Sequence, residues 1–230
     1  MVSLASTSCK KNSTPTKTAL GFGDISYFAK ATGTAVKTAA IKSNSILSDQ
    51  VDVDWVSATI YIEKISFVGN GSNQIDTTIS VERKINLFSS DALAGIIQLP
   101  TGSYKDVKVK LLLRKSPKSD LAFYLKGTFM NLQGQQDSLL VASSYPFEVN
   151  LGITDITINA SDKYKAIFSF DLDKGLTGIS TASLQTARSR ESYNHPINYV
   201  IWKGGSQDEP FYDQVVANWQ NVASVIVSKE

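Results

Sequence analysis

Val53-Asp54-Trp55-Val56-Ser57-Ala58-Thr59-Ile60-Tyr61-Ile62-Glu63-Lys64-Ile65-Ser66-Phe67-Val68 decides the fold class. Val56, Ala58, Ile60 and Ile62 fall on one face, and Ser57, Thr59, Tyr61 and Glu63 on the other. A period of two over this length predicts a half-buried strand. The phase changes near Lys64, because Ile65 and Phe67 continue the apolar series out of step. A β-bulge at Lys64 would restore the register. Gly69-Asn70-Gly71-Ser72-Asn73 then reads as a turn, since Gly and Asn tolerate positive φ. A second strand over Ile75 to Glu82 closes a hairpin.

The same rhythm continues outward. Leu99-Pro100-Thr101-Gly102-Ser103-Tyr104 is a turn followed by a strand in which Val107, Val109, Leu111 and Leu113 alternate with Lys108, Lys110 and Arg114. Lys115 to Asp120, with Pro117, reads as a loop. Leu121, Phe123 and Leu125 begin a further strand, and Gly134-Gln135-Gln136-Asp137 reads as a polar turn. Strands follow at Leu139–Ala142, at Phe147–Leu151 after Pro146, and around Ile153, Ile156 and Ile158. Ala166, Phe168, Phe170 and Leu172 alternate cleanly with Ile167, Ser169 and Asp171. Ile25–Ala29 is an early strand, and Ile41–Leu47 is ambiguous. Short strands at roughly ten-residue spacing, punctuated by Gly, Pro and Asn, predict a sandwich or barrel. The absence of a βαβ rhythm predicts antiparallel pairing. The expected fold is mainly β, an antiparallel β-sandwich with one C-terminal helix near 208–221.

That helix has its own signals. Leu176 to Arg190 is small and polar, a loop with some helical turns. Asp208 can cap, Glu209 suits the positive end of the helix dipole, and Pro210 suits an early helical position. Tyr212, Val215, Val216 and Trp219 form one apolar stripe. Asn218 and Asn221 are expected to end the helix, and Ala223 to Val227 is a closing strand. The helix should pack across the open side or one end of the sheets. Residues 21–230 are expected to form one β domain with a helix-containing C-terminal extension.

Composition narrows the functional classes. Among 230 residues there is one cysteine and one histidine. A Cys/His zinc site needs about four such ligands, and one thiol makes no internal disulfide. No stretch reaches the roughly 18–20 apolar residues of a spanning helix. A net charge of +2 argues against a dedicated nucleic-acid binder. The basic strip of Lys105, Lys108, Lys110, Arg114, Lys115 and Lys118 is better explained as a sheet edge guarded by lysines.

Candidate chemistry is sparse. His195 precedes Pro196, and no Gly-x-Ser-x-Gly elbow presents a nucleophile for it. Asp49, Asp52 and Asp54 lack EF-hand spacing. Asp171 and Asp173 fall on the outer face of a strand, where solvated carboxylates are ordinary. No metal, cofactor or catalytic residue is therefore assigned. The segment from Tyr193 to Trp202 concentrates aromatics and amides. Tyr193, Asn194, His195, Tyr199 and Trp202 are the candidate ligand-binding residues, because sugar recognition uses ring stacking and amide hydrogen bonds. The competing reading makes Tyr199, Ile201 and Trp202 core residues of a strand, and the alternation favours it.

Residues 1–20 are rich in Ser, Thr and Lys and read as a disordered tether. Ser6-Thr7-Ser8-Cys9-Lys10-Lys11 resembles the cleavage box of bacterial lipoproteins, in particular those of Bacteroidetes, which implies a lipid on Cys9. Ser6 stands where such boxes usually carry Leu, and only Met1 to Ala5 precede it in place of an apolar run.

Ile62-Glu63-Lys64-Ile65, the segment from Ile85 through Leu93, Leu99-Pro100-Thr101-Gly102-Ser103-Tyr104 with its following strand, and Phe168-Ser169-Phe170-Asp171-Leu172 are together similar to an uncharacterised lipoprotein domain family of Bacteroidetes. The resemblance covers about residues 50 to 175. It implies a transthyretin-like or immunoglobulin-like sandwich, related in architecture to fimbrillins, and no catalytic residues. The expected function is a non-catalytic cell-envelope lipoprotein, held on the outer membrane by its lipid, acting in adhesion or in binding an extracellular ligand such as a glycan or protein. The alternatives are a subunit or accessory of a fimbria-like assembly and, more weakly, a hydrolase with an unseen site.

Overall fold

The computed structural model describes residues 21–32, 50–71, 74–89, 92–118, 120–186, 189–190, 197–203 and 210–230. Twelve strands are described: β1 (Phe22–Thr32), β2 (Val53–Gly71), β3 (Ile75–Asn86), β4 (Leu93–Pro100), β5 (Gly102–Leu113), β6 (Phe123–Met130), β7 (Gln136–Ser143), β8 (Phe147–Ile158), β9 (Lys163–Asp171), β10 (Ser189–Arg190), β11 (Asn198–Lys203) and β12 (Ala223–Lys229). Two α-helices accompany them, α1 (Thr181–Thr186) and α2 (Tyr212–Val222), and a 3-10 turn spans Leu172–Leu176. A four-stranded sheet has the order β12-β9-β1-β4. The larger sheet runs β10-β11-β7-β6-β2-β5-β8, with β3 also paired to β2.

The strand that decides the fold class also organises the larger sheet. Thr59 and Ile60 pair at once with Asn86 and Ile85 of β3 and with Tyr124 and Phe123 of β6. β3 and β6 therefore lie on opposite edges of β2. Farther along, Ile65 to Val68 pair with both β3 and β5. β6 and β5 thus take successive stretches of one edge, and the sheet forks into two arms. The register breaks between Ile62 and Lys64 in both pairings, where the change of phase places a bulge. A second break lies between Trp55 and Ser57. It turns Val56 outward to 61% exposure and buries Val53 and Trp55. This corrects the placing of Val56 with Ala58, Ile60 and Ile62, because each inserted residue inverts the facing of those beyond it.

Both sheets are mixed. β1 pairs in parallel with β9, and β7 with β11. The expected all-antiparallel pairing is corrected here. A parallel neighbour needs only a long connection, and these connections pass through whole strands instead of one crossover helix.

Pro100-Thr101-Gly102 hands the chain from β4 in the small sheet to β5 in the large one. The buried Tyr104 closes this corner by donating its hydroxyl to the Pro100 carbonyl at 2.7 Å. Burial pushes the phenol pKa up, which keeps it a donor. Tyr104→Phe is expected to cost about 1 kcal/mol in a urea titration, the usual net worth of such a bond. β5 is bonded on one edge to β2 and on the other to β8. Its lysines therefore guard no sheet edge, contrary to expectation. They stand on the outer face, where Lys110 meets Glu148 at 3.3 Å. Phe147–Leu151 and the following apolar stretch are one strand, β8, which turns at Gly152 with φ of +111°, a conformation open to glycine.

α2 buries Tyr212, Val215, Trp219 and Val222. Asp208 and Glu209 lie outside the described residues. The position before the helix is Phe211, left-handed with φ of 68° and without a side-chain cap. Asn218 does not end the helix. Its amide donates to the carbonyls of Gly175 at 3.2 Å and Thr177 at 2.9 Å, tying α2 to the 3-10 turn. The Tyr212 hydroxyl shares a hydrogen bond with Ser143 Oγ at the end of β7. One continuous apolar cluster joins the inner faces of both sheets to α2. Between α2 and the sheet, Trp55, Leu125, Val141, Leu176, Val215 and Trp219 border a seam too narrow for water.

β12 is fastened at its far end by Lys229 on Asp162, 2.7 Å apart. Asp162 also accepts from Asn159 at 3.0 Å and from Tyr164 at 3.2 Å. The Lys229 contact, then Asn159, hold the carboxyl below its ordinary 3.8, and Asp162 holds the ammonium above its ordinary 10.5. A depressed carboxyl stabilises the fold fully above pH 3.8, and that contribution fades as pH falls through the lowered folded value. A raised ammonium contributes fully below pH 10.5, and its contribution fades as pH rises through the raised value. The difference in melting temperature between wild type and Lys229→Met should be flat around neutrality and close in acid. A difference that persists unchanged into strong acid would refute the linkage.

Candidate functional site

The outer face of the arm built by β6, β7 and β11 carries the most ligand-like surface. In β6, Phe123, Leu125 and Phe129 point inward, so Tyr124, Lys126 and Thr128 point outward. In β7, Leu139 and Val141 are core, Ser138 and Leu140 face out, and Ala142 shares their face but is fully buried. In β11, Tyr199 and Ile201 are core, and Asn198, Val200 and Trp202 face out.

Register turns these alternations into rows. Trp202 pairs with Ala142, and Ala142 with Tyr124. Two half-buried aromatic side chains thus flank Ala142, which is itself fully covered, two strand spacings or about 10 Å apart. A second row, Asn198–Ser138–Thr128, supplies an amide and two hydroxyls. Ser138 Oγ donates to Asn198 Oδ1, and Gln136 Nε2 donates to Thr128 Oγ1 at 3.1 Å. Lys126 adds an exposed cation between the rows. Ring faces that stack on C–H surfaces, beside amides and hydroxyls that bond to hydroxyls, suit a flat polyhydroxylated ligand.

One buried carboxylate holds this arm together. Asp137, fully buried, accepts from Asn131 Nδ2 at 2.9 Å and from the Ile197 backbone N–H at 3.1 Å. Asn131 Oδ1 in turn accepts the backbone N–H groups of Gln133 and Gln135. Asp137 therefore fixes both the β6–β7 turn and the start of β11. Gln136 and Asp137 belong to β7, not to the polar turn expected there.

Of the sequence-derived candidates, Trp202 lies on the platform. Tyr199 does not. It is 4% exposed and meets Phe129 edge-on at 5.4 Å, so it is core. Burial, then the Asp137 charge, push its phenol pKa up. Tyr193, Asn194 and His195 lie outside the described residues, as do Cys9 and Asp49. Tyr124 was missed, although its place between Phe123 and Leu125 marks it as outward. Asp173 takes the Trp55 indole N–H at 3.2 Å, and Asp171 meets Lys174 at 3.5 Å. Both are thus engaged within the protein, and Asp173 sits in the 3-10 turn, not on the strand face expected for it. Among the described residues, no three His, Cys, Asp or Glu side chains gather as a metal site.

A second polar cluster lies over β2 and β5. Glu63, 7% exposed, pairs with Arg114 at 2.8 Å. Asp120 takes Lys84 at 3.1 Å and the Ser116 hydroxyl at 3.1 Å. The Lys84 hydrogen bond holds the Asp120 carboxyl below its ordinary value. An ionised, paired carboxylate is a poor proton donor, and these contacts serve to pin the loop after β5.

No protein-family model, curated protein or solved structure matches the chain. The short motifs behind the lipoprotein resemblance have structural duties of their own. Ile62-Glu63-Lys64-Ile65 spans the β2 bulge, and Pro100 to Tyr104 is the corner between sheets. No helix among the described residues is long and apolar enough to cross a membrane.

Proposed function

We propose that the protein is a non-catalytic, lipid-anchored module of the cell envelope that binds an extracellular glycan on the outer face of β6, β7 and β11. The observation that supports this reading is the Trp202–Ala142–Tyr124 row, with the amide and hydroxyl row beside it. The body is read as a sandwich of transthyretin- or immunoglobulin-like kind, and Cys9 as its lipidated residue on the outer membrane. Adhesion through surface sugars is the role such a platform would serve.

Glycan-array binding by the 230-residue chain tests the ligand. A positive sugar should bind Trp202→Ala and Tyr124→Ala at least about tenfold more weakly, since buried aromatic anchors carry most of such binding energy. Equal binding by both variants would move the site elsewhere, and silence on every sugar would remove the glycan. Palmitate labelling tests the anchor independently. A Cys9→Ala protein that stays on the membrane would end that part of the proposal.

A further inference from the structure

Neither of the usual reasons for a lysine on a sheet accounts for Lys126. Lysines commonly guard a sheet edge against pairing. β6 is not an edge, because it is bonded to β7 on one side and to β2 on the other. Lysines also pair with carboxylates across strands. Lys126 stands opposite Leu140 of β7 and Ser57 of β2, and between Tyr124 and Thr128 along its own strand. None of these four neighbours is acidic. Asp54 stands on a diagonal, opposite Thr128. Among the described residues no carboxylate forms an ion pair with Lys126, whereas Lys84, Lys110, Arg114, Lys174 and Lys229 each hold one within 3.5 Å.

Its position is central. β2 extends the platform by one strand, with Thr59 opposite Tyr124 and Ser57 opposite Lys126, both half-buried. The face is then four strands wide, three spacings or about 14 Å, and Lys126 rises from its middle. Among the described side chains of β6, β7 and β11, no other charge faces outward. Leu140 and Val200, half-buried in the same row, offer the lysine stem an apolar surface while its ammonium stays in water.

We infer that the sugar held on this platform is acidic, with its carboxylate or sulfate group seated at Lys126. The inference rests on the glycan reading above and assigns the charge of its ligand. The ring row of Trp202 and Tyr124 lies two residues along the strands from the Lys126 row, about 7 Å. A lysine stem and an acidic substituent on a stacked sugar together bridge that span. An ammonium is a compact charge with rotatable donors, so it serves a carboxylate or a sulfate alike.

Calorimetric titration of the 230-residue chain tests the inference with two matched pairs of probes. One pair is a uronate oligosaccharide and its carboxyl-reduced form; the other is a sulfated oligosaccharide and its desulfated form. One acidic probe should bind about fivefold more tightly than its neutral counterpart, the worth of one well-placed charge pair on a surface. The pair that shows the difference names the acid. The preference should shrink as salt rises from about 0.05 to 0.5 M. Lys126→Gln should bring the acidic probe down to the neutral level and leave the neutral probe unchanged, and Lys126→Arg should keep the preference. Lys108→Gln removes an exposed charge on β5, off the platform, and should change nothing. Circular dichroism confirms that each variant is folded. An acidic probe held no better than its neutral counterpart, one indifferent to Lys126→Gln, or equal losses for Lys126→Gln and Lys108→Gln would each overturn the acidic ligand. The glycan platform would still stand in those cases if Trp202→Ala weakened binding. Silence of both pairs would overturn the inference, and silence on every sugar of the array would remove the platform with it.

Discussion

Trp219→Ala is expected to lower the stability of the protein by about 3–5 kcal/mol, the range for removing a large buried aromatic. Domains of this kind are stable by only about 5–15 kcal/mol in total. Trp219 is fully buried on the inner stripe of α2. It stacks on Phe123 at 4.8 Å and meets Phe147 and Phe170 at 5.8 and 6.2 Å. Those three rings belong to β6, β8 and β9, so one side chain joins both sheets to the helix. Its indole N–H is buried and has no acceptor among the described residues. Trp219→Phe should therefore cost much less than Trp219→Ala, because it keeps a ring against Phe123 and removes an unpaired donor. Urea unfolding reads both as shifts of midpoint at constant m. Equal losses for Phe and Ala would show that the rings do not cooperate as described.

Asp137→Ala is expected to cost about 3 kcal/mol or more, since it strands two donors, Asn131 Nδ2 and the Ile197 N–H, in a dry site. Asp137→Asn should fall between, because its own amide N–H₂ must face one of those donors. The loss should be local first. Ser138 N–H bonds to the Ile197 carbonyl at 3.0 Å and Ser138 Oγ donates to Asn198 Oδ1, so with the Ile197 N–H on Asp137 the start of β11 is held at three points by two adjacent residues of β7. Hydrogen exchange in Asn198–Trp202 should accelerate in either variant more than in β5. The Tyr199 phenol should titrate lower in Asp137→Asn, because one of the influences raising it is the Asp137 charge. An unmoved Tyr199 with intact β11 protection would refute the pin.

Half-buried strands were the most legible part of the chain. The alternation from Ala166 to Asp171 survives in the structure, with Leu172 already in the 3-10 turn, and the change of phase at Lys64 marks a real bulge. The second break in β2 was hidden, because Val56 is apolar and fits either facing. The helix stripe was plain, but its end was not. Asn218 looks like a helix stop until Gly175 and Thr177 are seen to receive its amide. Strand neighbours could not be read, since β1 and β9 meet across more than half the chain and leave no local trace. At the site, parity alone separates Tyr199 from Trp202: three residues apart on one strand, they face opposite ways. The pairing of Trp202 with Tyr124 needs β7 between them, and no pattern within either strand reveals that. Asp137 was read as turn because buried carboxylates are rare.

The parallel pairing of β1 with β9 sets a timetable. The small sheet takes its strands from residues 22–32, 93–100, 163–171 and 223–229. The ribosome releases β1 early, yet its parallel neighbour β9 emerges only after seven other strands have been made, and β12 later still. Loop closure of that span must precede any reward from contact, which makes such sheets slow to assemble. Until residue 171 is free, β1 lacks its β9 neighbour, and until residue 229 is free, β9 is a bare edge on a nascent chain. Helpers that hold the chain open during synthesis or transport should therefore have a long interval in which to act, and premature release should expose β1 before its partners exist.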